Sequence, residues 1–290
     1  LIEGAEVLTS LTKIGYQPID VLIGKDESWT SRGRPTDAHD VYSRAHTIID
    51  TTHMKGQEYQ RLAEKMQIPL IFGEGEEAKL SREDLYRMLR QQDIKVPETF
   101  VVRAHAPLKD EMFRELWLKY HTPLLVRPLH RHDDVPSKIV KMFPELEKTI
   151  REYHGKGIDT HVLTYRKLPT TSIAVLPHFR NEEVYTPLWV DTFPEDGQLP
   201  TPASNSRPHL QAPDFRKENM KAIATKVYKA LGLTKPACID FINHNNEYVV
   251  VNVDLNPSLR KDGRFMQSLA TTGVDAGHYI HAHISNDIKR

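Results

Sequence analysis

The chain has 290 residues, with 39 Lys+Arg against 39 Asp+Glu, 27% charged residues and 39% hydrophobic ones. That length allows two or three lobes around a large buried core, and the zero net charge offers no electrostatic reason for a nucleic-acid or membrane partner. A single cysteine, Cys238, excludes an internal disulfide and fits a reducing, cytoplasmic setting; no apolar run approaches the roughly 18 residues of a membrane helix, and no signal peptide is visible.

Residues 2–14 read as a helix with Val7, Leu8, Leu11 and Ile14 as its apolar stripe, ended by Gly15. Strands are expected at 17–23, 46–50 and 69–72, with a helix at 57–66 before the last of them. Alternating strands and helices predict a parallel α/β lobe over 1–73.

A second lobe is expected over 74–172. Ser81 is a good helix N-cap, with Asp84 three residues on in a box-like arrangement, so 81–92 reads as a helix with Leu85, Met88 and Leu89 on its core face. Strands at 99–103, 123–128 and 160–165 alternate with helices at 109–120 and 144–153. Between them, Leu129-His130-Arg131-His132-Asp133-Asp134 has no glycine or serine. Side chains of His130, Arg131 and His132 could meet a phosphate there, whereas Asp133 and Asp134 would repel one; the plain alternative is a solvated turn.

The third lobe is expected over 173–290. Strands at 172–177 and 184–190 flank the polar turn Arg180-Asn181-Glu182-Glu183. Residues 192–213, rich in Pro, Ser, Asp and Gly, read as a long loop. A helix at 215–231 ends at Gly232, and two short helices at 267–272 and 276–285 close the chain. Before them stand two strands, 237–242 and 248–253, joined by the turn His244-Asn245-Asn246-Glu247. Asp240 lies inside the first apolar run; Asp254 and Asn256 lie at the end of the second, two apart and so on one side of an extended segment. A carboxylate embedded in apolar residues needs a partner. Two carboxylates and an amide suit a hard cation, Mg²⁺ above all; the alternative is an ordinary hairpin with an Asx turn.

Asp240 within Ile-Asp-Phe, followed by Asp254-Leu255-Asn256-Pro257, resembles the metal-binding hairpin of ATP-grasp enzymes, and the order of elements is similar to D-alanine–D-alanine ligases over nearly the whole chain. The resemblance implies an α/β (α+β) ATP-grasp fold: an N-terminal parallel α/β lobe and two lobes that clamp ATP. It implies Mg²⁺ held by Asp240, Asp254 and Asn256, and a nucleotide bound by Arg127 and Arg82, with Lys79 as a substitute for Arg82 and Arg131 from the loop. The adenine hinge falls on Thr164 and Tyr165. The family's histidine loop after its early strand is shortened here to His53-Met54-Lys55-Gly56, which makes His53 a candidate for substrate contact.

Several positions depart from the family pattern. The family's two nucleotide lysines become Arg127 and Arg82, its acidic ribose ligand falls on Thr170, and the arginine two before the strand aspartate is Cys238. Cys238 reads as a buried structural thiol rather than a nucleophile. The serine that holds a substrate carboxylate falls near Gly263, so Arg260 or Arg264 is the replacement candidate, against a solvated basic loop. The implied activity is an ATP-dependent carboxylate–amine ligase with a small amino-acid-like substrate other than D-alanine, as a homodimer through the first lobe. The alternative is a non-catalytic relative that binds nucleotide or a partner.

Overall fold

A computed structural model describes residues 2–24, 26, 28–51, 58–71, 80–120, 122–130, 135–194, 206–208, 210, 213–244 and 247–287. The chain opens with α1 (Ile2–Lys13), whose Val7 and Leu11 are buried and whose end is turned by Gly15 at φ 93°. Strands β1 (Val21–Ile23), β2 (Trp29–Ser31) and β3 (Arg34–Pro35) form an antiparallel meander. Helix α2 (Ala38–Tyr42), β4 (Ile48–Ile49), α3 (Glu58–Lys65) and β5 (Leu70–Ile71) follow, and β4 and β5 pair in parallel. The parallel pairing matches the expectation from alternation. The meander does not, because its strands are joined by turns too short to hold a crossover helix. An apolar cleft of about 550 Å³ opens here, lined among others by Val7, Leu11, Ile23, Tyr42 and Ile49.

Helix α4 (Arg82–Gln91) begins at a complete capping box: Ser81 accepts from the Asp84 amide, and Asp84 accepts from the Ser81 amide. It leads into a four-stranded antiparallel sheet, ordered β6 (Thr99–Val102), β9 (Thr160–Thr164), β7 (Leu124–Pro128), β8 (Lys138–Val140). Helices α5 (Asp110–Lys119) and α6 (Phe143–Gly155) cover one face of this sheet with Phe113, Leu116, Leu146, Ile150 and Tyr153. Strand β8 has no counterpart in the sequence reading, since Lys138-Ile139-Val140 is too short to show an alternation.

The last sheet is built around β10 (Thr170–Phe179), which turns through Arg180 and Asn181, both at positive φ, into β11 (Glu182–Tyr185). Two successive positive-φ residues are what a tight hairpin turn requires. Strands β12 (Val190–Thr192) and β13 (Ser206–Pro208) extend the sheet beyond one edge of β10, so the stretch expected as loop over 192–213 contains strand β13. Helix α7 (Asp214–Ala230) then precedes β14 (Ala237–His244) and β15 (Glu247–Asp254). The sheet order is β13-β12-β10-β14-β15. Helices α8 (Arg264–Ala270) and α9 (Ala276–Asp287) end the described chain.

Strand periodicity divides this sheet into two faces. Ile173, Val175, Ile239 and Phe241 face one core, with Met220, Ala224 and Val227 of α7 and Leu85 and Leu89 of α4. Ala174, Leu176 and Cys238 face the other, with α1, α8 and α9. Along that second face the alternate positions change character. Ala174 and Cys238 give way to Ser172, Asp240 and Asn252, which the register places side by side on β10, β14 and β15. The polar cluster at the end of an apolar face is the fold's most conspicuous local departure from simple patterning.

Candidate functional site

Two polar clusters lie on the two larger sheets. The first surrounds Asp240, which is buried on β14. Its Oδ1 accepts from the Ser172 hydroxyl at 2.6 Å. Its Oδ2 accepts from the Asn252 amide at 3.1 Å and from the Arg264 guanidinium at 3.1 Å. Asp254 lies opposite Cys238, one alternate position along, and so on the same face as Asp240. The Asp240 carboxylate, followed by burial acting in the other direction and then by Cys238 and Asp254, sets the guanidinium of Arg264, with the net result that its pKa is raised. Burial pushes the Cys238 thiol well up, so it stays a neutral core group.

Asn256 donates its backbone N–H to Asp254 Oδ1 at 3.3 Å, which is the Asx-type turn after β15. Just beyond, Glu3 of α1 accepts from the Ser258 hydroxyl at 2.8 Å and from the Leu259 amide at 2.7 Å, and Glu6 accepts from the Lys261 amide at 2.8 Å. The first helix thus clamps the loop that follows the hairpin. Arg260 forms a two-point ion pair with Asp262, Nε to Oδ1 at 2.9 Å and Nη2 to Oδ2 at 2.8 Å, and that bond chiefly raises its pKa. The arginine directed at the hairpin is therefore Arg264, while Arg260 is closed on its own loop. On the same face Thr192 is also buried, and its hydroxyl has no hydrogen-bond partner among the described residues.

A hard cation at this hairpin would need oxygen donors. Among the described residues no three His, Cys, Asp or Glu side chains gather as a metal cage. Mg²⁺, however, takes only one or two carboxylates and fills its remaining positions with water and phosphate oxygen. Asp240 and Asp254 on one face, with Asn256 two residues on, supply oxygen donors of that kind. The donor set fits, with Arg264 occupying one of the Asp240 oxygens.

The second cluster centres on Arg127 of β7, which is also buried. Its Nη2 donates to the Tyr86 hydroxyl at 2.9 Å and to the Val251 carbonyl at 3.3 Å, and its Nε donates to His161 Nδ1 at 3.3 Å. Tyr86 in turn donates to the Val251 carbonyl at 2.7 Å. His161 is fully buried, and burial, then Arg127, Arg82 and Arg90, push its pKa down to about 2. It is a neutral ring held among guanidiniums. Arg82 donates through Nη1 to the Pro128 carbonyl at 2.9 Å, which ties the start of α4 to the end of β7. The structure thus brings Arg82 and Arg127 to one place, around His161.

At the proposed hinge, Thr164 ends β9 opposite Leu124, and the Tyr165 amide donates to the Pro123 carbonyl at 2.8 Å. His53, Lys79 and Arg131 lie outside the described residues. The sequence reading missed Ser172 and Asn252, although each is a polar residue inside an apolar strand, the signal that singled out Asp240. Glu3 was visible only as an acidic residue in a first helical turn, an arrangement with a simpler explanation in the helix dipole.

No family model matches the sequence, and no curated protein matches it. Solved structures do. The D-alanine–D-alanine ligase from Bacillus anthracis superposes with a TM-score of 0.75 at 15% identity, covering 99% of this chain and 91% of that one. The chain has the ATP-grasp fold of the D-alanine–D-alanine ligases. The same Bacillus ligase complexed with ATP matches at TM-score 0.75 and 14% identity, over 99% and 91% of the two chains. D-alanyl-alanine synthetase A from Vibrio cholerae O1 matches at TM-score 0.77 and 14% identity, over 98% and 92%. Helix α4 links the two sheets that carry the polar clusters: Leu85 and Leu89 pack in the core of the last sheet, and Tyr86 bonds to Val251 of β15 and to Arg127 of β7.

Proposed function

We propose that this chain is an ATP-dependent carboxylate–amine ligase whose substrate differs from D-alanine, with three lobes over 1–73, 74–172 and 173–290. The observation that carries it is the pairing of a ligase fold with an oxygen-donor hairpin: Asp240 and Asp254 on one face, with a guanidinium bonded to Asp240. One structural neighbour is complexed with ATP, which supports nucleotide binding here.

In this reading a substrate carboxylate oxygen attacks the γ-phosphorus of ATP, the bond to ADP breaks, and an acyl phosphate forms. An amine then attacks the acyl carbon, inorganic phosphate leaves, and the amine proton passes to water. Magnesium, when bound, would neutralise phosphate charge, held by Asp240, Asp254 and Asn256. Ser172 and Asn252 keep the Asp240 carboxylate oriented. Glu3 and Glu6 hold the loop at 258–261 against α1, and so fix the position from which Arg264 enters. The replacement of the family's strand arginine by Cys238 is the ground for a changed substrate. A cytoplasmic homodimer is the accompanying expectation; no helix among the described residues is long and apolar enough to cross a membrane.

A second reading has its own observation. The guanidinium of Arg127 and the amide of Tyr165, both expected on the nucleotide, bond to groups of the protein itself. That favours a protein that binds nucleotide or a partner without ligation. ADP release measured across a panel of amino acids and other amines separates the two. A ligase releases ADP only with its acceptor present; release with none of them supports the second reading.

A further inference from the structure

Arg264 stands in an unusual place. It is the first residue of α8, where the helix dipole disfavours a cation, so helix stability does not explain it. The turn that delivers it is tight: a side chain at Gly263 would meet the Arg260 carbonyl at 3.0 Å and the Ser258 carbonyl at 3.3 Å. Its side chain is 26% exposed, and the Asp240 side chain it meets is 7% exposed. Among the described residues the guanidinium makes one hydrogen bond, to Asp240 Oδ2, which leaves the other donors of the fork unspent. Buried carboxylates cost several kcal/mol without a counter-charge, and Arg264 is the cation that meets that need.

The same oxygen is one a divalent cation at this hairpin would use. We propose that Arg264 is a built-in competitor for the metal position: it neutralises Asp240 in the free protein, keeps a divalent ion from binding alone, and is displaced when metal arrives with a nucleotide. The displaced guanidinium is then available to an anion at the same place, a phosphoryl or carboxylate group. This rests on the ligase reading above and adds an order of binding to it.

The probe is Mn²⁺ standing in for Mg²⁺, with free ion read by electron paramagnetic resonance. Without nucleotide, Arg264→Gln should bind Mn²⁺ at least about tenfold more tightly than wild type, because one adjacent positive charge is gone. Arg264→Lys keeps the charge and should stay close to wild type. A Gln variant no tighter than wild type overturns the proposal, and so does a Lys variant that gains as much as Gln. If the Gln variant does not fold, the wild-type protein decides: saturating Mg²⁺ with a non-hydrolysable ATP analogue should move the Arg264 side-chain NMR signals, and unmoved signals overturn the proposal. Failure of the underlying reading looks different. There, the analogue recruits no Mn²⁺ to wild type at all, or recruits it equally to Asp254→Ala.

Discussion

The two polar clusters use similar chemistry to opposite ends. Around Arg127, Nη2 and Nε make three bonds to the protein, and the histidine beside it is neutral and fully buried, with its Nε2 lacking a hydrogen-bond partner among the described residues. Around Asp240, the carboxylate is saturated by Ser172, Asn252 and Arg264, yet the arginine that saturates it has donors left and a partly exposed side chain. Arg127, tied to three groups of the protein, is part of the architecture; Arg264, held by a single bond, is equipped to change partners. The difference teaches that burial of a charge is not by itself a mark of function. How many bonds tie the charged side chain to the protein is the better guide.

The largest effect should come from Asp240. Asp240→Ala leaves Arg264 without its carboxylate and should destabilise the protein by about 3–5 kcal/mol in urea unfolding. Arg127→Ala strands the Tyr86 and His161 groups and should cost about 1–3 kcal/mol, with nucleotide affinity unchanged if the cluster is purely structural. A fall in affinity at unchanged stability would break the contrast and make Arg127 a ligand contact.

His161 gives a pH test. The folded chain holds it neutral with a pKa near 2, whereas an unfolded chain takes up a proton at the usual 6.5. The unfolded state therefore binds more protons in acid. Stability from this residue is complete above pH 6.5 and falls, as pH drops toward 2, by up to about 1.4 kcal/mol per pH unit. His161→Phe should flatten that part of the stability profile relative to wild type; an unchanged slope would show that the ring is not held neutral. Smaller still, Ser81→Ala removes the capping bond to Asp84 and should cost about 1 kcal/mol. Arg260→Ala should leave the unfolding midpoint unmoved, since its pair with Asp262 is exposed and local.

Much of the fold was legible because its signals are local. The capping box at Ser81, the polar turn at Arg180-Asn181 and the helix stripe of Met220 and Val227 each name an element without reference to the rest of the chain. The hairpin and its Asp240 were legible because a carboxylate in an apolar strand demands an explanation. What was not legible depends on distant pairing. Strands β8 and β13 are three residues each and exist only beside β7 and β12. Arg127 read as a phosphate ligand by position, but its bonds to Tyr86 and Val251 come from residues 41 and 124 positions away. The choice between Arg260 and Arg264 was open in sequence for the same reason. Asp262 sits two residues from Arg260, while the Asp240 that meets Arg264 lies 24 away across a strand and a turn.

The most direct measurement is ATP binding by calorimetry, with and without Mg²⁺, on wild type and on Asp254→Ala. Binding should require Mg²⁺ in wild type and be lost in the variant, which keeps the Asp240–Arg264 bond. Absence of binding under every condition, or equal binding by both proteins, would contradict it and leave the ligase fold serving another task.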